Sequence, residues 1–161
     1  MNYSELTKKF NFHAPKELEY ADLRAKTLTR DDLKADMDGV NSSLELIRNM
    51  RGGSWPSEPV TEDFDLLDLA WHEREFRDGS SYAYVVYNDK GMYIGCVYLY
   101  PMGVRTELTE ELMHYDLDAS WWVTAEAYKE GYYQKLYTAL QGWLADLPVK
   151  KVYYSNKEIP S

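Results

Sequence analysis

Between Tyr115 and Leu144 the apolar residues change period, and no other stretch limits the fold so narrowly. Tyr115, Leu117, Ala119, Trp121 and Val123 share one face of an extended segment, with Asp116, Asp118, Ser120, Trp122 and Thr124 opposite, the two-residue repeat of a strand. From Tyr133 onward, Leu136, Tyr137, Leu140, Trp143 and Leu144 fall at helical spacings and form one apolar stripe. Ala125 to Glu130 read as a short loop that closes on Gly131, the first glycine of the segment. A strand that runs through such a loop into a helix aims the helix's first free amides out of the end of the sheet. That arrangement suits an anionic phosphate.

The elements around this segment follow from local signals. Residues 1–18 are polar and interrupted by Pro15, so they read as an N-terminal arm or an extra leading element, and residues 19–161 as one domain with one core. Alternation from Glu19 to Leu28 predicts a single half-buried strand. Thr29 with Asp32, and Ser42 with Glu45, have the spacing of capping boxes and predict two short helices, the second ended by Gly52 and Gly53. The segment Gly52 to Pro59 is a loop whose Trp55 either closes over a ligand or plugs the core. Thr61 caps a longer helix with Phe64, Leu67 and Trp71 in one line. His72, Glu73, Arg74 and Glu75 on it read as a solvated face, since Phe76 stands where a zinc-binding helix needs its second histidine. A hairpin, Ser81 to Tyr87 and Met92 to Tyr100, turns through Asn-Asp-Lys-Gly, and Lys150 to Tyr154 is a last strand.

Charge and cysteine usage narrow the function classes. A net charge of -9, with no basic run longer than a pair, argues against a nucleic-acid surface and is compatible with a cationic or neutral ligand. Cys96 is the sole cysteine and sits in an apolar strand pattern, which predicts a buried thiol and a reducing, cytoplasmic setting. No run has the length and apolarity of a signal peptide core or a membrane span, so no membrane partner is expected. No metal-ligand spacing is present, so no metal is expected either.

The order strand, helices, hairpin, strand, helix, strand predicts an α/β (α+β) protein. Its mixed, mainly antiparallel central sheet has a parallel pair of late strands and helices on both faces. This order, with the strand-loop-helix at Trp121 to Leu136, resembles the GNAT-type N-acetyltransferase superfamily over about residues 19–159. The resemblance implies a single GNAT-like domain that uses acetyl-CoA as co-substrate. It would transfer the acetyl group directly to a small-molecule or peptide amine.

In that family a loop of pattern Arg/Gln-x-x-Gly-x-Gly/Ala holds the CoA pyrophosphate on its amides. The matching residues here are Tyr128, Lys129, Glu130, Gly131, Tyr132 and Tyr133, of which Gly131 alone keeps the pattern. The resemblance further places the acetyl carbonyl and pantetheine against Trp122 and Val123, the pantetheine arm near Asn156, and a catalytic carboxylate at Asp118. The sequence ends where the family's acid tyrosine would follow, so Tyr132, Tyr133 or Tyr154 could stand in, and a homodimer could complete the substrate wall. Two alternatives stay open. One is a non-catalytic GNAT-like domain whose aromatic cleft binds a small molecule or protein; the other is a chance resemblance, which would require that the strands from Met92 and Tyr115 not be neighbours.

Overall fold

Every strand of the sheet pairs with the next one in sequence. The computed structural model describes residues 8–161, so the first residues of the expected arm lie outside it. Six strands, β1 (Glu17–Tyr20), β2 (Leu23–Thr27), β3 (Tyr82–Asn88), β4 (Tyr93–Tyr100), β5 (Leu117–Val123) and β6 (Val152–Tyr154), lie in the order β1-β2-β3-β4-β5-β6. All neighbours are antiparallel except β5 and β6, which are parallel because a helical crossover joins them. The sheet is thus mixed and mainly antiparallel, as the element order predicts. The strands from the Met92 and Tyr115 segments are neighbours, which removes the chance-resemblance reading.

One predicted strand proves to be two. The chain turns back within Glu19 to Leu28, where Ala21 adopts a left-handed φ of 52° and pairs β1 with β2 as a tight hairpin. Alternation continues across the turn, so periodicity alone does not reveal it. Ahead of β1, Phe10 and Phe12 pack on Tyr82 with ring centroids 5.1 and 5.8 Å away, and Ala14 is buried.

Three helices follow β2: α1 (Leu33–Asn41), α2 (Leu44–Arg51) and α3 (Glu62–Asp78). The Thr29 capping box forms as predicted, on a single 3-10 turn that leads into α1. The Ser42 box does not. Ser42 donates to Gly39 O, and the neighbouring Ser43 hydroxyl accepts from the distant Ala125 amide at 2.8 Å, so it caps another helix instead of its own. Thr61 caps α3 through Phe64 N. The line Phe64, Leu67 and Trp71 on α3 is exposed, at 57, 59 and 49%. The core-facing side of α3 instead carries Leu69, Phe76 and the buried Asp65.

Helices cover both faces. Tyr98, Ser120 and Trp122 point to the side of α1 to α3, where the Trp122 indole donates to Tyr98 OH at 2.9 Å and the His72 ring lies 5.5 Å from Tyr98. Ala119, Trp121 and Val123 face α5 (Tyr132–Ala145), whose Tyr133 and Tyr137 stack on Trp121 at 5.1 and 5.0 Å. Gly95 lets β4 and β5 approach, because a Cβ there would lie 1.9 Å from Trp122 O. Ala125 to Lys129, read from sequence as loop, is a short helix, α4, capped by the Thr124 hydroxyl on Ala127 N. Five residues are too few to show a helical period, so only the cap could have betrayed it. No helix among the described residues is long and apolar enough to cross a membrane.

Candidate functional site

β5 and β6 stay paired only from Leu117 to Ala119, and beyond Ser155, whose amide donates to Ala119 O at 2.9 Å, they part. The open edge of β5 therefore begins at Ser120 and runs to Val123, toward the start of α5. Its polar groups are met by a side chain. Asn156 accepts from Trp121 N at 3.1 Å and donates to Trp121 O at 2.9 Å and Tyr133 OH at 2.8 Å. The next residues cross the gap, with Lys157 N on Arg51 O at 3.2 Å and Glu158 N on Met50 O at 3.0 Å.

At the far end of this edge lies the loop before α5. Gly131 has a left-handed φ of 85° with open space around its would-be Cβ, and no side chain caps the helix it starts. Lys135 N is the amide that bonds back to Gly131 O, which leaves Tyr132, Tyr133 and Gln134 as the first-turn amides. The three tyrosines turn away from that turn. Tyr128 OH donates to the Glu158 carboxylate at 2.9 Å, Tyr132 OH reaches Asp22 at 2.5 Å, and Tyr133 OH donates to the Glu158 carbonyl. Tyr133, whose bulk at a position for glycine would close a phosphate cradle, is buried against Trp121 rather than spread over the loop. Its burial pushes the phenol well above its ordinary pKa, so it stays protonated. The start of α5 thus leaves its first-turn amides open to an anion, with Lys129 and Glu130 beside Gly131, while the strand edge is already hydrogen-bonded by Asn156.

The remaining expected site residues divide between the two faces of β5, with Asp118 and Trp122 on the α1 to α3 side and Val123 and Tyr154 on the α5 side. Trp122 and Val123 are fully buried at the strand end. Asp118 is also buried, and its two oxygens accept from Thr106 Oγ1 at 2.7 Å and Ser155 Oγ at 2.5 Å. Tyr154, among the stand-ins for an acid, packs edge-on to Trp121 and Tyr137. Among the described residues no cluster of three His, Cys, Asp or Glu side chains forms a metal-holding group.

A cleft of about 310 Å³ opens on the α1 to α3 side, next to this strand. Trp55, Trp71, Tyr98 and Tyr100 wall it, and Arg51, Arg105, Asp68, His72 and Glu75 bring charge to it. Sequence reasoning missed it because its parts come from four separate segments. His72 is not on a solvated face: its side chain is 11% exposed, its Nε2 lies 3.5 Å from Asp68, and Glu73 pairs with Arg30 at 3.0 Å. Trp55 does not stand free over a ligand; it is half-buried, with the Arg51 guanidinium 5.4 Å from its ring. Arg51 Nη2 also reaches Ser120 Oγ at 3.3 Å, which ties the cleft to the open stretch of β5.

No protein-family model and no curated protein matches the sequence. Solved structures do match. The ribosomal-protein-S5-alanine acetyltransferase of Vibrio fischeri superposes with a TM-score of 0.58 at 11% identity, over 80% of this chain and 66% of that one. A ribosomal L7/L12 alpha-N-protein acetyltransferase in complex with coenzyme A gives 0.57 at 11% identity, over 78% of this chain and 63% of that one. Spermidine N-acetyltransferase from Vibrio cholerae, in complex with CoA and spermine, gives 0.53 at 22% identity, over 84 and 71%. This chain spans about two thirds of the length of the first two. Its sheet order, its parting strands and these superpositions agree: the chain has the GNAT-type N-acetyltransferase fold.

Proposed function

We propose that the chain transfers an acetyl group from acetyl-CoA to a primary amine by direct attack, with no covalent enzyme intermediate. The observation that carries this reading is the parting of β5 from β6 beside an uncapped α5 start, with a charged aromatic cleft on the opposite face of the same strand. Acetyl-CoA, when bound, supplies an activated thioester from which the acetyl group passes to the amine nitrogen as the carbon–sulfur bond breaks. The first-turn amides of Tyr132, Tyr133 and Gln134 and the Lys129 side chain hold the pyrophosphate. Trp122 and Val123 form the dry floor beside the acetyl group, and Asn156 would exchange its bond to Trp121 for one to the pantetheine arm. The amine must lose a proton, and Asp118 takes it through the Ser155 or Thr106 hydroxyl that it binds.

A second reading has one observation in its favour. Asn156, Tyr133 and Glu158 already satisfy the edge where pantetheine would lie, as a non-catalytic binding domain would arrange it. Calorimetry with CoA separates the two. The catalytic reading expects micromolar binding, about 8 kcal/mol, lost in Gly131→Trp, whose side chain would fill the open space of the loop. No heat from the native protein, with binding gained in Tyr133→Gly, would establish the non-catalytic domain instead.

A further inference from the structure

The charges on the cleft do not cancel one another. Arg51 is half-buried, yet it takes part in none of the ion pairs among the described residues, and its Nε is buried with no hydrogen-bond partner. Among the described residues its guanidinium makes one hydrogen bond, to the neutral Ser120 hydroxyl. Taking a guanidinium partly out of water without a counter-charge is costly. The rings of Tyr98 and Trp55, 4.8 and 5.4 Å from its carbon, offset part of that cost but leave the donors unsatisfied. Arg105, exposed on the loop after β4, also lies 5.5 Å from the Tyr100 ring and outside those ion pairs.

The acidic side is occupied only locally. Asp68 meets the His72 ring, Glu75 accepts from the Ser81 hydroxyl, and neither reaches an arginine of the cleft. His72 Nδ1, like Arg51 Nε, is buried without a partner. Groups of both signs are therefore held apart in one aromatic-walled space, with polar atoms left unpaired among them. A ligand of one sign would satisfy half of this and repel the rest.

The geometry points to a zwitterionic acceptor: a free amino acid with an apolar or aromatic side chain. Its carboxylate would sit on Arg51 and Arg105, its amino group toward Asp68 and Glu75, and its side chain among Trp55, Trp71 and Tyr100. Arg51 can hold a carboxylate through paired N–H groups, and its bond to Ser120 sets the ligand beside the strand that leads to Trp122. This assignment rests on the acyltransferase reading for the ligand's fate, but its occupancy of the cleft does not.

The test is calorimetry of the whole protein with L-phenylalanine, phenethylamine and 3-phenylpropionate, with and without CoA. L-phenylalanine is expected to bind, and removal of either charged group to weaken binding by about tenfold or more. Arg51→Gln should erase the preference for L-phenylalanine over phenethylamine. Arg105→Gln, on an exposed side chain with no fold role, should lower L-phenylalanine affinity severalfold and so guards against an unfolded Arg51 variant. Phenethylamine binding as tightly as L-phenylalanine, or no heat from any probe in either condition, would overturn the assignment. Absence of CoA binding beside intact L-phenylalanine binding would overturn the proposed reaction alone.

Discussion

Replacing Asp65 with Asn should stabilise the protein, and should do so more as pH rises. α1 and α3 press the Asp36 and Asp65 carboxyls together on one face of the sheet, where they are 5 and 2% exposed. Asp36 accepts from Tyr93 OH at 2.6 Å, while Asp65 Oδ2 has no partner. Two carboxylates in contact inside a core cannot both ionise cheaply, so Asp65 keeps its proton and donates it to Asp36. Burial first, and then the Asp36 carboxyl, push Asp65 from 3.8 up to about 8. The unfolded chain releases this proton near pH 3.8 and the folded one near 8, so between those values the folded state binds more protons. Stability from this group is complete at low pH and falls as pH climbs through that window. At about 1.4 kcal/mol per pH unit, the loss from about pH 4 to 7 is on the order of 4 kcal/mol. Asn stays neutral, can donate to Asp36 in the same way, and has no proton to lose. Burial also raises Asp36, so a smaller slope of the same sign remains in the variant. Urea unfolding followed by tryptophan fluorescence, at about pH 4.5, 6 and 7.5, reads the effect. Wild type should lose stability across the series, and Asp65→Asn should lose less and exceed it by about 2 kcal/mol or more at the highest pH. Parallel profiles, or a variant weaker than wild type at pH 7.5, would refute a shared proton between these helices.

Two further outcomes are expected. Asn156→Ala leaves the Trp121 amide and carbonyl without partners in the core and should lower stability by about 1 to 3 kcal/mol in chemical denaturation; an unchanged midpoint would mean that another group satisfies them. Cys96 is fully buried, and burial pushes its thiol well above the ordinary range, so a disulfide reagent should label it in denaturant and not in the native protein. Prompt native labelling would contradict that burial.

The fold was legible wherever one element filled a whole period. The hairpin of β3 and β4, the strand of β5 and the stripe of α5 all follow from spacing, because each is long enough to show its own period. Short elements were not: the turn at Ala21 and the five residues of α4 are set by single dihedrals and one cap, which periodicity averages away. Ser43 shows the same limit in another form, since its hydroxyl serves Ala125, 82 residues on. At the site, the position of Gly131 could be read from the sequence, but the inward turn of Tyr133 could not. That turn depends on Trp121, Asn156 and Glu158 arriving together. The cleft around Arg51 was invisible for the same reason.

The sequential strand order also says how this sheet assembles. Each strand pairs with its neighbour in sequence, so β1 to β5 can pair in chain order without threading, although β2 and β3 must first close the long segment that carries α1 to α3. β6 has three residues, is the one strand paired in parallel, and reaches β5 only after the α5 crossover is in place. It is the last strand to join and, with only three paired positions, the one whose local opening costs least. The edge that would receive a cofactor arm is therefore also the seam at which the native sheet breathes.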